Sequence, residues 1–129
     1  MDEGILIESK PEIDLELGTD VEEEGQVIVH CSMFNPMSEP MGIRVWKETF
    51  LICNQTGNKS KLIRAINVVY QPQWELVFPG KTKRFTMLFE RLPKVCTSFT
   101  FKEIINQPGA FLVADIPRNK RDVYRINLD

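Results

Sequence analysis

The stretch Phe78–Glu103, FPGKTKRFTMLFERLPKVCTSFTFKE, decides how this chain folds. Pro79-Gly80 sets a turn at its start, and Pro93 marks a second turn. Between them Phe85, Met87 and Phe89 fall on one face of a strand, because strand side chains alternate with period two. Phe99 and Phe101 repeat the pattern after the second turn. The spacing predicts a hairpin whose aromatic face must lie on another sheet, and therefore an all-β sandwich. No constellation of catalytic groups occurs in the stretch.

Working outward, the same alternation recurs. Gly4–Ile7 and Glu12–Leu17 read as strands; in the second, Ile13, Leu15 and Leu17 alternate with Asp14 and Glu16, the mark of a strand with one wet face. In Gln26–Phe34 both faces carry apolar residues, which predicts a central strand. Met41–Asn54 is too long to stay regular, and its apolar side shifts between Val45 and Trp46. A bulge or a bend from one sheet into the next is expected there. Ser60–Val69, Trp74–Phe78, Phe111–Ile116 and Asp122–Leu128 complete the strands, separated by turns at Gln55–Lys59, Asn106–Gly109 and Pro117–Lys120. Strand patterning with turn signals every 8–14 residues predicts an immunoglobulin-like β-sandwich of two antiparallel sheets with about 8–10 strands. The antibody hallmark is absent, since Cys31 and Cys53 stand too close in sequence and Trp46 lies between them.

A length of 129 residues predicts one domain spanning residues 1–129, large enough to fold without metal or disulfides. No apolar run is long enough to span a bilayer as a helix. The start, Met1-Asp2-Glu3-Gly4, has no signal-peptide pattern, so a cytoplasmic location is expected unless a leader was removed. Three cysteines without a CxxC argue against a disulfide-dense secreted scaffold, and each lies within or beside an apolar strand pattern as a small hydrophobe. A Cys31–Cys53 bridge has no local support. Residues 1–24 hold ten acids and one base (−9), whereas residues 25–129 hold eight acids and fifteen bases (+7). The bases are spread over many strands, so neutralisation by the acidic segment is expected and nucleic acid is not.

His30 is the single histidine, and no nucleophile-elbow, phosphate-loop or paired zinc-ligand motif is present. No enzyme activity, cofactor or metal site is therefore expected. Calcium held by carboxylates near Asp20–Glu24 is the one weak metal alternative. Lys81, Lys83 and Arg84 flank one turn, and Arg118, Lys120 and Arg121 another. They are the candidate binding residues: at one end of the sandwich they would form a basic patch. Edge-strand protection is the plainer role for them. The sequons at Asn54 and Asn58 read as turn chemistry.

Trp74–Glu103 resembles a group of uncharacterised bacterial β-sandwich proteins, mostly from Bacteroidetes, whose shared pattern is an aromatic, then P-G-x-T, F-x-L-x-F-E-x-L-P-K and S-F-x-x-x-E. Val27–Asn35, Trp46–Leu51 and Ile116–Arg125 fit the same group. Met87 and Lys102 depart from its commoner residues. The resemblance implies an immunoglobulin-like sandwich and no activity. The expected function is a non-catalytic protein-interaction or structural module, partnered by another protein or by a second copy through an edge strand. The alternative is a carbohydrate or small-ligand module using Trp46 and Trp74 as platforms. Against that stands the usual fate of tryptophans in sandwiches, which is burial in the core.

Overall fold

Residues 5–6, 25–106 and 109–128 are described by a computed structural model, and they contain no helix. The ten strands among them are β1 (Ile5–Leu6), β2 (Val27–Phe34), β3 (Met41–Ile43), β4 (Thr49–Cys53), β5 (Lys59–Ile66), β6 (Glu75–Val77), β7 (Thr82–Phe89), β8 (Ser98–Glu103), β9 (Leu112–Pro117) and β10 (Val123–Asn127). The expected strand at Glu12–Leu17, the turn after it and the acidic run to Glu24 lie outside the described residues.

Eight strands form one sheet in the order β1-β10-β2-β7-β5-β4-β8-β9, and β3 pairs with β6 separately. Strand β5 joins the halves of the large sheet. Its first residues, Lys59–Lys61, pair with β4, and from Leu62 onward it pairs with β7. Two residues of β5 oppose one step of β7 between Leu62 and Arg64, a bulge at Ile63 that bends the strand. The sheet thereby curls over on itself. Phe89 on β7 meets Phe101 on β8 edge to face at 6.0 Å between centroids, and Phe99 on β8 meets Tyr124 on β10 at 4.9 Å. None of these strands are sheet neighbours, so both contacts cross the core between the facing halves. Each fully buried aromatic there contributes on the order of 2–3 kcal/mol of transfer free energy.

Three expectations are corrected. The two strands of Phe78–Glu103 are not a hairpin: β7 pairs with β2 and β5, while β8 pairs with β4 and β9. Their aromatic faces meet each other across the core instead. The all-β class holds, but a continuous curled sheet with a small second sheet replaces two separate sheets. Nor is the pairing wholly antiparallel, since β10 runs parallel to β2.

Other readings hold. Strand β2 is central, between β10 and β7, with Val27, Val29 and Cys31 in the main core and Ile28 buried with Val123 on its other face. The run from Met41 does bend: β3 lies in the small sheet and β4 in the large one. Between them Val45 bridges Tyr70 in parallel, giving its amide to Val69 and accepting from that of Gln71.

Candidate interaction surface

The small sheet is built on alternation, and this fixes what it shows to solvent. Ile43 of β3, Val45 just beyond it, and Val77 of β6 turn inward and are buried in the main core. Their sequence neighbours Gly42, Arg44 and Trp46 must then face outward, together with Trp74, Leu76 and Phe78 from β6 and its flanks. Trp74 is 62% exposed, Leu76 56% and Phe78 55%. The expectation that both tryptophans are core residues is corrected: Trp74 is open to solvent and Trp46 is half-buried.

A guanidinium sits between the two indoles. The Arg44 carbon Cζ lies 3.8 Å from the Trp74 ring centroid and 5.1 Å from that of Trp46. Register explains the placement. Met41, Gly42 and Ile43 oppose Val77, Leu76 and Glu75, so continuing the ladder sets Arg44 opposite Trp74. Gly42 leaves the room, because a Cβ there would stand 3.0 Å from Trp74 Cε3. Arg44 also donates to the Pro72 carbonyl at 3.3 Å. Such a cation–π contact is worth about 0.5–1 kcal/mol at an exposed site. Its larger effect is to hold a flexible side chain and a bulky ring in one geometry.

Two devices fasten the surface to the body. Asn35 is fully buried, and its Nδ2 donates to the carbonyls of Val77 and Glu39 at 2.8 Å each while Oδ1 accepts the Met37 amide. One side chain thus ties β6 to the Asn35–Pro40 loop. On the inner side Glu75 pairs with Lys83 of β7. Behind Trp46 lies Glu103, buried, whose Oε1 accepts the Phe111 amide at 3.0 Å and whose Oε2 has no hydrogen-bond partner. Burial pushes this carboxyl above the ordinary range; the Phe111 and Trp46 amides and the Arg44 charge offset that only in part.

The six basic residues singled out from sequence do not form one patch. Phe34 at the end of β2 opposes Thr82, whereas Ile28 near its start opposes Val123. Lys81, Lys83 and Arg84 therefore stand at one end of the sheet, and Arg118, Lys120 and Arg121 at the other, roughly 20 Å apart along the strand. Lys83 is engaged by Glu75. Arg118 grips Asp122 with two bonds, Nε–Oδ1 at 3.0 Å and Nη2–Oδ2 at 2.9 Å, and donates to the Pro93 and Cys96 carbonyls. Lys81, Arg84, Lys120 and Arg121 are exposed.

His30 is half-buried, with Nδ1 2.9 Å from Thr86 Oγ1, its cross-strand partner. Among the described residues no three His, Cys, Asp or Glu side chains are grouped to hold a metal ion. The segment expected as the calcium alternative is not among them. No helix of the described residues is long and apolar enough to cross a membrane. No family model, curated protein or solved structure matches the chain.

Proposed function

We propose that this protein is a non-catalytic interaction module that docks an extended acidic–apolar polypeptide segment on the outer face of its small sheet. One observation supports this most: Trp74, Leu76 and Phe78 form an unbroken row of large apolar side chains, each more than half exposed. Three such side chains offer roughly 300 Å² of apolar surface, the size of the largest patch on an ordinary monomer, which is often functional. Area alone does not set the row apart; its continuity along β6 and its flanks, with Arg44 beside it, does. A stable interface needs about 800 Å² per partner, so the row is the anchor of a transient contact and not the whole of an obligate one. Arg44 at its edge and the +7 charge of residues 25–129 favour an acidic partner.

A bacterial immunoglobulin-like sandwich is the finer fold reading. The facing halves of the curled sheet favour it. So does Tyr124, at the start of β10, whose hydroxyl accepts the Asn119 amide at 3.0 Å, a contact of the tyrosine-corner type.

Random peptides displayed on phage, panned on the wild-type protein and counter-panned on a Leu76→Ser/Phe78→Ser variant, test the function. Enrichment of peptides with alternating apolar residues and an acid, lost in the variant, is the expected result. Both substitutions fall on exposed positions, so the fold should be unaffected. Equal recovery on both proteins would refute the reading. A second reading rests on the Trp46–Arg44–Trp74 stack, an aromatic platform suited to a sugar face. Glycan-array binding that disappears in Trp74→Ala, with no peptide enrichment, would establish it instead.

A further inference from the structure

Cys53 and Cys96 are 43 positions apart in the chain and neighbours in the fold. Cys53 ends β4, where it opposes Phe99 of β8, and the Asn54 amide donates to the Ser98 carbonyl at 3.0 Å. Cys96 closes a turn that starts at Pro93, its amide donating to the Pro93 carbonyl at 3.0 Å. A polar clasp holds the two segments together. Gln55 Oε1 accepts the Thr97 amide at 2.9 Å and the Ser98 amide at 3.3 Å, and lies 3.6 Å from the Cys53 thiol. The Cys96 thiol donates to the Ser98 carbonyl at 3.1 Å. Both thiols are thus anchored on this one clasp, Cys53 at Gln55 Oε1 and Cys96 at the Ser98 carbonyl. All three cysteines are free thiols and buried.

We propose that Cys53 and Cys96 form a dithiol that is oxidised to a disulfide by small-molecule disulfides, stitching the end of β4 to the crossover between β7 and β8. The Cys53 thiolate attacks one sulfur of the oxidant and expels the other half as a thiolate. The Cys96 thiol then gives up its proton, attacks the Cys53 sulfur and expels the second half. Two protein thiols are oxidised to one disulfide, and one small disulfide is reduced to two thiols, which take up the two protons.

The surroundings fit that order of events. Burial raises Cys53, but hydrogen bonds from Cys96, Thr56 and Gln55 outweigh it and leave the thiol below its ordinary value. Cys96 is pushed up to about 11, by burial first and by Cys53 second. The first is suited to attack and the second to resolve. Neither sulfur has appreciable exposed surface, yet the cover is thin: Asn54, Gln55, Thr56 and Thr97 are all exposed. Opening one turn, and not the core, uncovers them. Cys31 is the internal contrast. It faces the main core from central strand β2, and burial alone pushes its thiol far up.

The test uses the whole folded chain equilibrated with oxidised glutathione, quenched by alkylation, digested and weighed. The expected product is a Cys53–Cys96 cross-linked peptide, reversed by dithiothreitol, with Cys31 unmodified. Closing a loop of this length should raise the melting temperature by on the order of 10 °C. In Cys96→Ser, glutathione should remain attached to Cys53. Free thiols at both positions after equilibration overturn the proposal. Cys31 reacting as fast as the pair also overturns it, since oxidation would then proceed through global unfolding. The wild-type measurement decides the matter even if the variant fails to fold.

Discussion

Replacing Tyr124 by phenylalanine removes one oxygen and leaves the ring where it is. The edge-to-face contact with Phe99 is kept, so the change isolates the hydroxyl. That hydroxyl accepts the Asn119 amide at 3.0 Å and donates to Asp122 Oδ1 at 2.8 Å. Without it the Asn119 N–H has no acceptor in a corner from which water is largely excluded. Leaving such a group unsatisfied costs about 1–3 kcal/mol. The Asp122 carboxylate loses less, because Arg118 still grips both its oxygens and the Asn119 side chain still orders the Arg121 and Asp122 amides. Together the loss is about 2 kcal/mol. With an unfolding entropy of roughly 2.1 cal/mol/K per residue, this lowers the melting temperature by about 7 °C. Urea titration followed by tryptophan fluorescence and by far-ultraviolet circular dichroism measures it, as a lower midpoint at an unchanged slope. Tyr70→Phe is the calibrating comparison: its hydroxyl accepts only the Ala65 amide, at 2.7 Å in a half-buried site, and about 1 kcal/mol is expected. A loss below about 0.5 kcal/mol for Tyr124→Phe would refute the view that this corner fastens β10 to the loop before it.

Two further outcomes follow from the surface and the carboxyl behind it. Glu103 has a raised pKa in the folded protein, so from the ordinary carboxylate value upward the folded state holds a proton that the unfolded chain has released. Wild-type stability should therefore fall as pH rises through that window, and Glu103→Gln should gain on the wild type between about pH 5 and pH 8. Urea midpoints of both proteins at the two pH values read the gain, and a constant difference between them would contradict the assignment. Gly42→Ala places a methyl group 3.0 Å from Trp74 Cε3. It should displace the indole from Arg44 and change tryptophan emission while costing under about 1 kcal/mol, because Trp74 is exposed. An unchanged spectrum would mean that the ring is not held over Gly42.

Much of the architecture was legible in residue order because strand periodicity is local. Alternation at Val27–Phe34, Phe85–Phe89 and Phe99–Phe101 fixed which side chains share a face, and Pro79-Gly80 and Gly57-Asn58 marked where strands stop. The split of the run from Met41 showed as a change of apolar side between Val45 and Trp46. None of these signals names a partner strand. Pairing is chosen by contacts between residues far apart in the chain, which is why a hairpin was expected where β7 and β8 face each other across the core.

The candidate surface shows the same division. Residue order alone put Trp74, Leu76 and Phe78 on one face, but alternation does not say which face is inside. That was decided by Ile43, Val45 and Val77 entering the core, which forces their neighbours outward. A missing side chain at Gly42 and the guanidinium of Arg44 then made the exposed position of Trp74 tenable. Likewise the basic residues at 81–84 and 118–121 were visible as two clusters, and only the parallel register of β10 against β2 placed them at opposite ends. Cys53 and Cys96 met because β4 pairs with β8, a choice no local pattern records. Faces and turns are properties of neighbouring residues; partners, sides and sites are properties of the packed whole.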